Sequence, residues 1–304
     1  MGGTLDQLDI EIIRVLIQDS RTSYRMVSRA VGLSTNATKT RMKRLVSNGI
    51  ILQYFTTINL SVFGYSKVCY IFLRTGNKVE LILSRLKRLG NLVIEVHGDG
   101  GVSMLGIAIK PEEERKIRSF TKELKPILIQ NIFIGQSSPI KLKLRRTDFM
   151  IMRCLLGNAR MEVSDIAKRI STSPKSVSNR LAKMKENRLM MFNVATDPLK
   201  MNGYIRFGMV IWLERKDQKT IRRIQEILDR CFAIVLPMIN QEEVINYQIV
   251  VNSIFDIDSA LSEIRSLDAV KAAEVFIPYK AKIHQDWILW EIDKRINPQE
   301  AFLP

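Results

Sequence analysis

The chain predicts an α+β fold laid down twice: a three-helix unit with an extended strand behind it, then a βαββαβ unit, and then both again. Three observations carry that expectation. Apolar residues recur at helical spacing from Leu5 to Leu45. Beyond Tyr65 the pattern switches to short β-branched runs alternating with helical ones. Shifted by 139 positions, Asp9–Tyr65 also overlays Asp148–Tyr204 without a gap.

Leu5, Leu8, Ile12, Val15 and Leu16 form a helical stripe from about Leu5 to Asp19. A second helix is expected from Ser23 to Val31, and Gly32-Leu33 makes a tight turn. The third helix starts at Ser34, a good N-cap, and ends at Asn48-Gly49, where glycine can take the left-handed C-cap conformation. Thr38, Met42 and Leu45 face inward, leaving Thr35, Asn36, Lys39, Thr40 and Lys43 outward. Ile50–Ile58 is rich in β-formers and is expected to make a small two-stranded wing. Three helices and a wing describe a winged helix-turn-helix, whose third helix is placed to read the DNA major groove.

Val68–Leu73 then reads as strand, Val79–Leu89 as helix, and Leu92–Val96 and Val102–Ile109 as strands. Pro111 opens a helix whose Glu112, Glu113 and Glu114 suit the dipole of its first turn, and Ile127–Ile134 closes as a strand. This βαββαβ order is ferredoxin-like. Its helices cover one sheet face, so pairing with a second such unit is expected on the other.

The repeat then restarts. Twelve identities include Asp9/Asp148, Arg21/Arg160, Ser34/Ser173, Arg41/Arg180, Asn48/Asn187 and Gly64-Tyr65/Gly203-Tyr204. They fall on caps, turn glycines and register-matched apolar positions, so duplication explains them. Ser173 caps the second third helix with Pro174 behind it, and Val177, Leu181 and Met184 face inward. Lys175, Ser178, Asn179 and Ala182 face outward, flanked by Arg180 and Lys183. Ser171-Thr172 replaces Gly32-Leu33, so this turn lacks its easy left-handed residue. Strands 207–213, 233–238, 244–251 and 270–276 and helices 220–231 and 257–267 complete the second ferredoxin-like unit. A last helix is expected over His284–Ile296, its tryptophans docking on the body of the protein. The expected division is 1–60 and 147–199 for the winged helices, 61–136 and 200–280 for the ferredoxin-like units, 137–146 for a linker and 281–304 for a helical tail.

Net charge is +16, which favours a polyanionic partner. It is concentrated in residues 141–204, at 14 basic against 5 acidic groups, whereas residues 205–304 carry 13 against 15. Cys69, Cys154 and Cys231 lie far apart without a CxxC pair, which reads as reduced thiols in a cytoplasmic protein. No apolar run reaches the length of a membrane span. No metal-spaced or nucleophile–base cluster stands out, so no cofactor, metal or catalytic residue is expected.

Residues 5–51 resemble the N-terminal domain of the leucine-responsive regulatory protein/AsnC (Lrp/AsnC) transcription regulators. Leu8-Asp9, Asp19-Ser20-Arg21, Gly32-Leu33-Ser34, Arg41, Leu45 and Gly49-Ile50-Ile51 carry the resemblance, and the βαββαβ units resemble that family's amino-acid-sensing RAM domain. The resemblance implies a regulator of double-stranded DNA with contacts at Thr35, Asn36, Lys39, Thr40, Arg41, Lys43 and Arg44, and at Lys175, Ser178, Asn179, Arg180 and Lys183. It implies RAM pairing, as an intrachain pseudo-dimer or a homodimer, and a small effector such as an amino acid. The turn carrying His97, Gly98, Asp99 and Gly101 is the candidate effector site, with a plain β-turn as the competing reading. Its counterpart, Asn240-Gln241-Glu242-Glu243, has no glycine. Two rivals stand beside the regulator. Tandem chains of this kind also resemble siroheme decarboxylases, although only His97 and His284 are present. A protein-interaction scaffold with degenerate winged helices is the other.

Overall fold

The computed structural model describes residues 5–74, 79–124, 129–136, 140–201, 203–215, 217–231, 234–240 and 244–297. Residues 241–243, three of the four expected to match the effector turn, lie outside them. The chain divides into two compact units. One holds Glu11–Lys67, Ser137–Asp197 and His284–Pro304, and the other holds Met1–Ile10, Val68–Gln136 and Pro198–Ile283.

In the first unit the two winged helices repeat each other closely. Helices α1 (Gln7–Gln18), α2 (Tyr24–Val31) and α3 (Thr35–Ser47) match α6 (Arg146–Gly157), α7 (Val163–Arg169) and α8 (Pro174–Glu186). Ser34 and Ser173 each accept an N–H from three residues on, Ala37 and Ser176 respectively. Thr38, Met42 and Leu45 are buried, as are Val177, Leu181 and Met184. The left-handed positions match as well. Ser171, at φ +53°, stands where Gly32 is at +68°, and Arg188, at φ +51°, where Gly49 is at +68°. The duplicated backbone kept its turn after losing its glycine. A Cβ at Gly32 would meet nothing within 4 Å, so only the backbone angle penalises a side chain there. Gly32→Ala should therefore cost about 1–2 kcal/mol, and Ser171→Gly should raise stability by up to about 1 kcal/mol. Urea unfolding of the two variants checks both signs.

The wing differs from expectation. Strand β1 (Ile51–Ile58) does not fold back on itself but pairs antiparallel with β6 (Met190–Thr196), from Ile51↔Thr196 to Ile58↔Met190. The run Ile50–Ile58 contains no glycine, proline or asparagine with which to turn, so it meets its own repeat copy instead. Two arginines lock the same pair in reciprocal fashion. Arg21 Nη1 donates to the carbonyls of Ala159 (2.7 Å) and Met161 (2.9 Å). Its repeat twin Arg160 donates to the carbonyls of Ser20 and Thr22. Burial lowers the pKa of Arg21 below its ordinary value, with Glu162 and Asp19 acting against that shift. The Arg160 guanidinium also lies 5.3 Å from the Tyr24 ring and 5.2 Å from the Tyr54 ring.

Helix α11 (Asp286–Ile296) completes this unit by burying Ile288 and Ile292. Trp287 docks edge-on to Tyr65 at 5.1 Å, while Trp290 stays exposed with Lys294 over its ring. Among the described residues no helix is long and apolar enough to cross a membrane.

The second unit contains two antiparallel sheets. In one, β7 (Ile205–Leu213), β8 (Ile234–Asn240), β9 (Val244–Val251) and β10 (Val270–Phe276) take the order β10-β7-β9-β8. The other runs β11-β3-β4-β2-β5 and is built from β2 (Lys67–Arg74), β3 (Asn91–Gly98), β4 (Val102–Ile109), β5 (Ile129–Gln136) and β11 (Pro278–Ile283). Period-2 alternation assigns each face. Cys69, Ile71 and Leu73 pack with Ile82, Leu86 and Ile117 of helices α4 (Val79–Leu86) and α5 (Glu114–Leu124). Phe207, Met209 and Ile211 pack with Ile224, Leu228 and Ile264 of α9 (Gln218–Cys231) and α10 (Phe255–Arg265). The intervening residues point the other way, where Phe72, Val96 and Met104 form a single buried cluster with Val210 and Val244. β11 was not expected. It is a strand of six residues, PYKAKI, with Pro278 at its first position, added antiparallel to the edge of β3.

Candidate nucleic-acid interface

Capping fixes where α3 and α8 begin, and their buried stripes fix their rotation. Thr35, Asn36, Lys39, Thr40, Lys43 and Arg44 are exposed on α3, and Lys175, Ser178, Asn179, Ala182 and Lys183 on α8. Lys39 Nζ lies 6.0 Å from the Tyr24 ring, which leaves its charge outside the core. Arg41 is half-buried, and both it and Arg44 interact within the protein.

Arg180 is placed differently from expectation. Its side chain is only 13% exposed and forms a two-pronged pair with Asp148, which is fully buried. Nε stands 2.5 Å from Oδ1, and Nη2 bonds Oδ2. The Asp148 carboxylate holds the guanidinium above its ordinary pKa. Charge and spacing cannot separate such a residue from a DNA contact. The signal was its repeat partner, since Asp9/Asp148 and Arg41/Arg180 are retained together while the outward faces diverge.

The expected effector turn is closed by the chain itself. His97 is in β3, with Nε2 2.6 Å from Glu95 Oε1 and Nδ1 3.0 Å from Ser103 Oγ. Its ring stacks on Tyr279 of β11 at 6.4 Å. The Asp99 N–H donates to the Ile277 carbonyl at 3.0 Å, and the Ile277 N–H donates to Asp99 Oδ1 at 3.1 Å. A Cβ on Gly98 would stand 3.0 Å from that same carbonyl. Gly101, at φ +72°, serves the turn. A cavity of about 390 Å³ lies among Phe72, Val210, Trp212 and Phe276, with Arg74 and Lys271 at its wall. Among the described residues Trp212 Nε1 is buried there without a hydrogen-bond partner. Its walls come from strands far apart in the sequence, so no local motif announced it.

Comparison with known proteins supports both heads. Residues 5–46 match the AsnC-type helix-turn-helix domain, and residues 144–189 match a winged helix-turn-helix DNA-binding domain. Over 128 residues the chain is 30% identical to the HTH-type transcriptional regulator Ptr1 of Methanocaldococcus jannaschii, a match covering 42% of this chain and 86% of that protein. It is 26% identical over 121 residues to the regulator FL11 of Pyrococcus furiosus, covering 40% and 80%. The crystal structure of the siroheme decarboxylase NirDL aligns along 97% of this chain and 100% of its own, with a TM-score of 0.54 and 13% identity. That is a likeness of fold.

Proposed function

Because the chain belongs to the Lrp/AsnC family of HTH-type transcription regulators, we propose that it reads double-stranded DNA with two unlike recognition helices, α3 and α8. The observation that carries this reading is the pair of matched, Ser-capped helices whose buried stripes agree and whose outward faces do not. The β1–β6 ribbon and the reciprocal Arg21 and Arg160 bonds support the two heads acting as one body. Each half of the chain supplies what one subunit supplies in a dimer, with the ferredoxin-like units paired within the chain and the protein acting in the cytoplasm.

Lys39→Ala and Asn179→Ala should each cost about 1–3 kcal/mol of binding and relax base preference under that helix. Lys43→Ala and Lys183→Ala should weaken all sequences alike, as lost phosphate contacts do. Binding isotherms on matched and scrambled duplexes separate the two classes. Affinity should fall steeply with salt, and a flat profile would sink the regulator reading.

We assign the small effector to the cavity beside Trp212. Aromatic walls suit an apolar side chain, and Arg74 and Lys271 suit a carboxylate, the two ends of an apolar amino acid. The whole-chain likeness to a siroheme decarboxylase keeps one enzymatic reading open to test. A haem-type absorption band after incubation with siroheme would bring it forward.

A further inference from the structure

Residues 140–145, between the two repeats, run IKLKLR and lie outside every helix and strand. Alternation sorts them by face. Ile140, Leu142 and Leu144 line one shallow groove with Val62, Phe149 and Arg295, while Lys141, Lys143 and Arg145 are exposed. The segment is tied down at its C-terminal end. The Lys143 carbonyl accepts Arg180 Nη2 at 3.5 Å, and the Arg145 N–H donates to Asp148 Oδ2 at 2.8 Å. The same Arg180–Asp148 pair that fixes α8 therefore fixes the three cations beside it.

We propose that Lys141, Lys143 and Arg145 form a phosphate-tracking strip that extends the DNA interface of the second head beyond α8. This rests on the regulator reading above. At no more than about 3.6 Å per residue the cations span up to about 14 Å, a length over which one DNA strand carries about four phosphates. No acidic side chain occurs from Gly135 to Thr147 to neutralise them. Arg146, the next cation, is spent on the Ile296 carbonyl and Asn297, so it is not part of the strip.

The first head has no counterpart. The 139-residue offset places Gly2, Thr4 and Asp6 opposite Lys141, Lys143 and Arg145. The correspondence holds locally, since the Asp6 N–H meets Asp9 Oδ2 as the Arg145 N–H meets Asp148 Oδ2. Phosphate contact through this segment is thus one-sided, and the footprint should be lopsided.

The test compares wild type with K141Q/K143Q/R145Q and with K116Q/K219Q/R222Q, which removes equal charge from exposed sites on the ferredoxin-like unit. Each is titrated with duplex DNA from 50 to 200 mM salt. The strip variant should show a slope of log K on log salt shallower by about 2–3, which makes its affinity loss over that range about 16- to 64-fold smaller than the wild type's. Base preference and melting temperature should stay unchanged, and hydroxyl-radical protection should retreat only on the α8 side. Equal effects in both variants, or none in either, would overturn the strip while leaving the regulator standing. A salt-independent wild type would instead remove the regulator reading itself.

Discussion

Replacing Arg180 with methionine is expected to destabilise the protein by about 3–5 kcal/mol. Asp148 has no solvent exposure, and its carboxylate is satisfied by the Arg180 guanidinium and the Arg145 N–H. Removing the arginine leaves a carboxylate that must stay buried with half its partners gone. Removing both charges together, as in D148L/R180M, should recover most of the loss, because no unpaired group then remains. Urea midpoints at constant m-value measure both steps. The same experiment separates two roles for Arg180: a DNA contact would leave the midpoint in place and change base preference instead.

The second large effect belongs to the reciprocal arginines. R21A/R160A removes the bonds from these two side chains to the carbonyls of Ala159, Met161, Ser20 and Thr22. Counting one net charge-assisted hydrogen bond of about 1.5–3 kcal/mol for each arginine, the double variant should lose about 3–6 kcal/mol of stability. It should also uncouple the heads. Two modules joined rigidly bind with an advantage of about 10²–10⁴ over either alone, and the double variant should forfeit about tenfold to a hundredfold of it on a full site. Its affinity for an isolated half-site should not change. Competition binding with full-length and half-site duplexes reads the difference directly.

Both predictions rest on features that the sequence shows unequally. The helices, caps and inward stripes were legible because they are local: Ser34 and Ser173 sit beside the turns they cap, and Thr38, Met42 and Leu45 recur at one spacing. The duplication was legible because its landmarks share one offset. What stayed hidden depends on pairing between distant segments. Ile50–Ile58 reads as a strand, but nothing within it says that its partner starts at Met190. Likewise β11 alternates Tyr279, Ala281 and Ile283 with Lys280 and Lys282, a pattern too short to distinguish from an extended tail. The turn at His97–Gly101 was legible only in part, for the same reason. Its glycines announce a tight turn correctly, while the Ile277 segment that closes over it lies 178 residues further on.

Retained pairs deserve more weight than single charges in a duplicated chain. The sequence keeps Asp9/Asp148 together with Arg41/Arg180, and in the second copy Arg180 pairs with Asp148, while Arg21 and Arg160 both bond the facing copy. The exposed positions that diverged, Lys39 against Ser178 and Lys43 against Ala182, are where the two heads differ in what they offer DNA.

Selection of bound duplexes from a randomised pool, with the stoichiometry of the complex determined alongside, tests the central claim most directly. One chain should bind one site made of two non-identical half-sites about one helical turn apart, and Lys39→Ala should relax only one of them. A strictly palindromic selected site, or a complex that needs two chains to occupy a single pair of half-sites, would contradict the account.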